Sequence, residues 1–181
     1  MRIILIGMKG CGKTTLGKLC AEQLQTPFLD SDTAIEKMHE REKGEALPFR
    51  EIFKQYGAKY FSVLDTQTLK HIAQEFGNRD FVFACGGRTP LQKENQEILS
   101  RLGTIIFLQV EKAVLLKRIL AQGTPAFFPY PDDPEKSLAE LLAQRLPIYK
   151  KLADITIDVS EGTTEDLAHT ILTELKDYGK N

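Results

Sequence analysis

Apolar residues in this chain gather in short runs that are continuous rather than alternating. Residues 3–6, 81–85, 104–108 and 155–159 are rich in β-branched and aromatic side chains, and a shorter run lies at 27–29. A strand with one wet face alternates, whereas a continuous run suits a strand covered on both faces, as in a parallel sheet between helices. Between the runs the spacing changes to the helical period. Residues 13–24 carry Leu16, Leu19, Cys20 and Leu24, and residues 60–76 carry Leu64, Leu69, Ile72 and Phe76. Residues 114–120, 138–152 and 164–175 follow the same pattern. Strand alternating with helix predicts a three-layer α/β/α domain over residues 1–181.

One segment breaks the pattern. Residues 121–134 read AQGTPAFFPYPDDP, with prolines too close together for a regular helix or a central strand. A loop of this length is functional or disordered. Its aromatics, Phe127, Phe128 and Tyr130, argue for a lid over a site.

Composition narrows the functional classes. The chain has 181 residues, 42% of them hydrophobic and 27% charged, with a formal net charge of −1. No global basic field exists to attract nucleic acid or an anionic membrane. The three cysteines, Cys11, Cys20 and Cys85, have no metal-ligand spacing. An odd count without a secretory segment suggests reduced thiols in the cytoplasm. Cys11 is the one that alkylation would be expected to reach. The apolar run at 3–6 is too short for a signal peptide or a membrane helix.

Residues 7–14 read Gly-Met-Lys-Gly-Cys-Gly-Lys-Thr, a match to G-x-x-x-x-G-K-[ST]. The match follows a predicted strand and opens a predicted helix. Glycines let the backbone fold back so that the N–H groups of Gly10, Cys11, Gly12, Lys13, Thr14 and Thr15 surround one anion, and the helix N-terminus adds partial positive charge. Lys13 is placed for the β- and γ-phosphates of a nucleoside triphosphate, ATP by expectation, and the Thr14 hydroxyl for Mg²⁺.

Such a loop names no recipient. Asp30 and Asp32 stand at the carboxyl end of the 27–29 run, where open α/β sheets bind ligands. One can serve magnesium and the other can accept a proton from an attacking hydroxyl. Alternatively the pair is a surface acid beside a helix cap formed by Ser31 or Asp32. After the 81–85 run comes Gly86-Gly87-Arg88, read either as bare backbone offered to a bound molecule or as a tight turn.

These features together resemble the shikimate kinase family. The resemblance rests on residues 7–14, on Pro27-Phe-Leu-Asp30-Ser-Asp32, on Ile35-Glu36, and on Glu51-Ile-Phe53 with Gly57 and Phe61. It continues through Cys85-Gly86-Gly87, Arg118 and Gln144-Arg145-Leu-Pro147-Ile-Tyr149. It implies a P-loop kinase fold with a five-stranded parallel sheet, a substrate-binding segment at about 32–61 and a lid at about 121–134. It implies transfer of the γ-phosphoryl group of ATP, with Mg²⁺, to the 3-hydroxyl of shikimate. Lys13 then stabilises the transferring group, Thr14 and Asp30 serve the metal, and Asp32 contacts the acceptor hydroxyl as base. Gly86, Gly87 and Arg145 line the acceptor, Arg145 pairing with its carboxylate, and Arg118 lies near the adenine. A monomer acting on a small hydroxylated acid, with no nucleic acid and no membrane partner, is expected.

The chain also departs from the family. Where the family places an acceptor-binding arginine after Phe61, this chain has Ser62, and the usual glutamate nearby is Asp65. The third glycine of the turn is Arg88. The lid's Arg-Pro-Leu becomes Thr124-Pro125-Ala126, and no Lys or Arg occurs between Arg118 and Lys136. Arg88 is a candidate to replace the lost carboxylate contact, and Lys9 and Arg50 are further cations to place. Two other readings follow. One keeps the fold and changes the acceptor to gluconate, a nucleotide or another polyol. The other is a nucleotide-binding regulator with little catalysis.

Overall fold

Every strand pairing in the sheet is parallel, as the continuous apolar runs predict. The computed structural model describes residues 1–179. In chain order the elements are β1 (Arg2–Ile6), α1 (Lys13–Gln23), β2 (Phe28–Asp30), α2 (Ser31–Lys43), α3 (Phe49–Phe76) and β3 (Phe81–Ala84). Then come a 3-10 turn (Thr89–Leu91), α4 (Lys93–Leu102), β4 (Thr104–Gln109), α5 (Lys112–Leu120), α6 (Pro134–Leu152), β5 (Ile155–Asp158) and α7 (Thr164–Tyr178). The sheet order is β2-β3-β1-β4-β5.

The central strand shows why three layers form. Ile3 and Leu5 point to the face covered by α1 and α7, where they meet Leu16, Cys20, Ala168 and Ile171. Ile4 and Ile6 point to the opposite face, against Leu69, Leu99, Leu115 and Leu138 from α3, α4, α5 and α6. All four β1 side chains are wholly buried, each contributing about 1.5–3 kcal/mol by leaving water. This double burial is what a one-sided, alternating strand lacks.

Several boundaries differ from expectation. β2 ends on Asp30 itself, one residue later than the apolar run. α6 starts at Pro134, which supplies the fixed φ suited to a first helical position, with the Asp133 side chain capping the Lys136 N–H at 3.0 Å. α4 has no counterpart among the predicted helices. α3 begins eleven residues before the predicted helix at 60 and is interrupted at Gly57 (φ 78°, ψ 174°). That conformation is open almost only to glycine, and a Cβ there meets nothing within 4 Å, so the requirement is conformational and not steric. The break redirects the chain so that Ile52, before it, and Leu64, after it, both pack on Ile35 of α2.

Behind the β3 turn lies a polar network that spacing alone did not reveal. Asp65 is buried and accepts hydrogen bonds from Thr89 Oγ1 (2.9 Å), Asn95 Nδ2 (3.2 Å) and Gln92 Nε2 (3.4 Å). Ser62 donates to Gln92 Oε1 at 2.6 Å, and Thr66 to Asn95 Oδ1 at 2.8 Å. The positions expected to hold an arginine and its glutamate thus hold a network of neutral donors around one carboxyl. Burial pushes the Asp65 pKa up to about 6, with the Thr89 hydrogen bond opposing it and the Asp32 charge adding to it.

Two predictions follow from this architecture. Gly57→Ala should destabilise the fold by about 1–3 kcal/mol in urea denaturation, the strain of a side chain at that φ/ψ. Because Asp65 holds its proton more tightly folded than unfolded, its contribution to stability is greatest below pH 4 and declines as pH rises through about 6. Asp65→Asn should therefore gain on the parent chain by about 2 kcal/mol between pH 4.5 and 7, read as the change in their difference in unfolding free energy.

Candidate active site

The carboxyl ends of three adjacent strands, β2, β3 and β1, carry the residues singled out from the sequence. After β1 the chain turns through Gly7, Gly10 and Gly12, with φ of 145°, 85° and 95°. A Cβ on Gly7 would lie 2.8 Å from both Cys11 Sγ and Leu108 O, so space as well as φ demands glycine there. Gly12 is the N-cap of α1; it offers no side-chain cap, and no acid sits in the first turn. By contrast α2, α6 and α7 are each capped by a side chain and carry an acid in the first turn. The N-terminus of α1 thus keeps free N–H groups and an uncompensated dipole end, the features that hold phosphate.

Lys13 Nζ donates to the carbonyls of Gly7 (2.8 Å) and Met8 (2.9 Å), holding its ammonium over the loop. Cys11 is buried in the loop, as are Cys20 and Cys85, and all three are free thiols. The expectation that Cys11 is open to alkylation is therefore corrected: its sulfur packs beneath Gly7 and faces the core.

Asp30 and Asp32 divide their work by geometry. Thr14 Oγ1 donates to Asp30 Oδ2 at 3.0 Å, and the Asp32 N–H donates to Asp30 Oδ1 at 2.9 Å. The cap of α2 is thus Asp30, where Ser31 or Asp32 was expected. β2 carries the chain up to Asp30, so its side chain is the one that faces the first turn. Asp32 is freed from capping. Its pKa is pushed up to about 6 by burial first and by the Asp30 charge second, with Lys13 opposing. Thr14 and Asp30 present hard oxygen ligands side by side, a donor set that fits Mg²⁺ shared with phosphate. Among the described residues no group of three or more His, Cys, Asp or Glu forms a metal cage, and magnesium at a nucleotide needs none.

The turn after β3 is crowded by the protein itself. A Cβ on Gly86 would lie 2.9 Å from Thr89 Oγ1 and 3.1 Å from Ser31 Oγ. A Cβ on Gly87 would lie 3.4 Å from Gly7 O and 3.8 Å from Lys9 N. The glycines therefore let the β3 turn approach α2 and the phosphate loop closely. Tyr149, wholly buried in α6, donates its hydroxyl to the Gly87 carbonyl and reaches Met8 Sδ at 3.9 Å. Arg145, one helical turn earlier on the same face, reaches Met8 Sδ from its Nη1 at 3.8 Å.

Arg145 is buried, and its Nε has no hydrogen-bond partner. Its guanidinium lies 5.8 Å from the centroid of Phe127, and Lys9 Nζ lies 5.8 Å from the same ring. Burial lowers the Lys9 pKa, the Arg50 charge lowers it further, and Asp32 opposes them. Arg50 also acts on Asp32, so Lys9 and Arg50 join Lys13 near that carboxylate. Arg88 is exposed and lies 5.9 Å from the Phe53 ring, its charge felt at Asp65. The guanidiniums of Arg88 and Arg145 face different rings. Arg118 Nη2 donates to the carbonyls of Val159 (3.0 Å) and Ser160 (2.9 Å), joining α5 to the loop after β5 at the far side of the phosphate loop. Sequence reading missed the Tyr149 tie, Gln92, Asn95 and the shared Phe127 ring. The 145/149 helical spacing is the one signal that could have found the first of these.

Known proteins are similar to this chain in sequence and fold. The family profile described as shikimate kinase matches residues 9–176. A shikimate kinase of Caldanaerobacter subterraneus is 35% identical over 170 residues, 94% of this chain and 93% of its own. The structure of a shikimate kinase from Acinetobacter baumannii in complex with shikimate superposes with a TM-score of 0.82 at 32% identity, covering 97% of this chain and 93% of its own. The shikimate kinase of Aquifex aeolicus superposes at 0.77 with 29% identity, covering 100% of this chain and 99% of its own. Five parallel strands in this order, a phosphate loop backed by Asp30 and Asp32, and similarity running nearly end to end lead to one assignment: the chain belongs to the shikimate kinase family.

Proposed function

We propose that this chain transfers the γ-phosphoryl group of ATP to the 3-hydroxyl of shikimate. The observation that carries the acceptor half is Arg145: a buried guanidinium whose Nε is unpartnered and which makes no ion pair among the described residues. A buried charge met only by neutral groups is unfavourable, and a planar carboxylate on an incoming acid satisfies it in two parallel hydrogen bonds. The donor half is the phosphate loop, with ATP on the free N–H groups of α1 and adenine toward Arg118 and residues 160–164. Thr14 and Asp30 are the residues that would hold magnesium, which when bound neutralises phosphate charge.

The chain's own groups then act as follows. Lys13 exchanges the Gly7 and Met8 carbonyls for phosphate oxygens. Asp32 receives the acceptor's hydroxyl proton as the acceptor oxygen bonds to the γ-phosphorus, and the β–γ bridging oxygen leaves on ADP. A carboxylate whose pKa is about 6 is a better base than an ordinary aspartate and is still ionised at neutral pH. Segment 121–133 serves as the lid that excludes water. The gluconate reading has less support: a gluconokinase from Sinorhizobium meliloti superposes at 0.62 with 18% identity, which speaks for the fold alone. Retention of Lys13, Thr14, Asp30 and Asp32 in working geometry argues against a regulator without catalysis.

ATP consumption measured against shikimate, gluconate and nucleoside monophosphates tests the proposal. Turnover should depend on shikimate and fall about 10²–10⁴-fold in Asp32→Asn. ATP binding with no turnover on any acceptor, or turnover on gluconate alone, would overturn it. Arg145→Met should raise the shikimate KM by roughly 30-fold or more, corresponding to about 2–5 kcal/mol for a buried charge pair, with ATP affinity within about threefold of the parent.

A further inference from the structure

Segment 121–133 brings aromatic rings to the site but no positive charge, since no Lys or Arg occurs between Arg118 and Lys136. A phosphoryl group in flight spreads negative charge over three equatorial oxygens, and enzymes of this class meet that charge with a cation beyond the loop lysine. Resting on the kinase reading above, we propose that Lys9 is a catalytic residue supplying this second cation from within the phosphate loop itself.

Placement is the first argument. The Lys9 backbone sits where the donor loop abuts the acceptor turn, its N 3.8 Å from where a Cβ on Gly87 would lie. Its side chain runs to the Phe127 ring, the same ring that Arg145 faces from the acceptor side. Lys9 thus stands between the group that holds the donor and the group assigned to the acceptor, near Asp32. The second argument is charge. Lys9 makes no ion pair among the described residues, is half-buried, and has Arg50 as its strongest charged neighbour. Removing an ammonium from water beside a like charge is unfavourable until an anion arrives between them. The ring beneath Nζ offsets part of this while leaving the N–H donors free. Lys18, Lys43 and Lys136 also lie over rings, but none of them belongs to the phosphate loop. During transfer Lys9 neither gives nor takes a proton: the acceptor proton passes to Asp32, the bridging oxygen leaves on ADP, and Lys9 stabilises the equatorial oxygens.

The test separates this role from the choice of acceptor. Affinities for Mg²⁺-ADP and for Mg²⁺-ADP with aluminium fluoride, a mimic of the phosphoryl group in transit, are measured by calorimetry on the parent, Lys9→Met and Lys9→Arg. Lys9→Met should lose about 10²–10³-fold in affinity for the fluoride complex, below the range for arginines in this role, with ADP affinity changed less than about threefold. Lys9→Arg should stay within about tenfold of the parent for both. Unchanged fluoride-complex affinity in Lys9→Met overturns the proposal, and so does an equal loss for both ligands, which marks a ground-state contact or a damaged loop. A parent chain with no preference for the fluoride complex overturns it together with the kinase reading. Failure to phosphorylate shikimate, with the fluoride result as expected, removes the acceptor assignment and leaves Lys9 standing.

Discussion

The hydroxyl of Tyr149 ties three parts of the site into one body. It is wholly buried in α6, donates to the Gly87 carbonyl and contacts the sulfur of Met8. Through it the turn after β3, the phosphate loop and the helix that carries Arg145 share one fixed point. The aromatic body of Tyr149 packs on Phe107 of β4, with ring centroids 5.4 Å apart, so the tie is anchored in the core rather than in a loop. A buried carbonyl left without a donor costs about 1–3 kcal/mol, and the distances between Lys13, Asp32 and Arg145 rest on this bond being kept. Segment 121–133 enters the same body through α6, where Ser137 Oγ accepts from the Tyr130 N–H and donates to the Tyr130 carbonyl.

Around that frame the protein assembles like charges without neutralising them. Lys9, Lys13 and Arg50 lie near Asp32, Arg145 shares the Phe127 ring with Lys9, and Asp30 is engaged by Thr14 and by the α2 backbone. Each cation is held by something other than a carboxylate: loop carbonyls for Lys13, rings for Lys9 and Arg50, a sulfur and a ring for Arg145. Weak partners of this kind are readily exchanged for phosphate or carboxylate oxygens. A site built this way is already organised before its anions come, so little rearrangement remains for the reaction to drive.

What the sequence disclosed and what it hid follow from the range of the interactions. The phosphate loop and the strands are encoded locally, in glycine spacing and apolar continuity, and both read correctly. α4 escaped because its apolar stripe is only Ile98, Leu99 and Leu102 in ten residues, and its N-cap, Gln92, makes no side-chain cap bond. The first half of α3 escaped because Gly57 breaks the period that would have extended it. Ser62 and Asp65 read as losses because their partners, Gln92 for the first and Gln92 with Asn95 for the second, lie about 30 residues away at the start of α4. No spacing rule reaches across such a gap. The capping of α2 by Asp30, not by Ser31 or Asp32, turned on where β2 ends by a single residue, which periodicity does not resolve.

Asp30 shows how closely the candidate site and the architecture are joined here. One oxygen closes the first turn of α2 and the other receives Thr14. The two jobs use separate oxygens of one carboxylate, so both are met at once. An Asp30→Ala change would therefore unseat Thr14 and the start of α2 together.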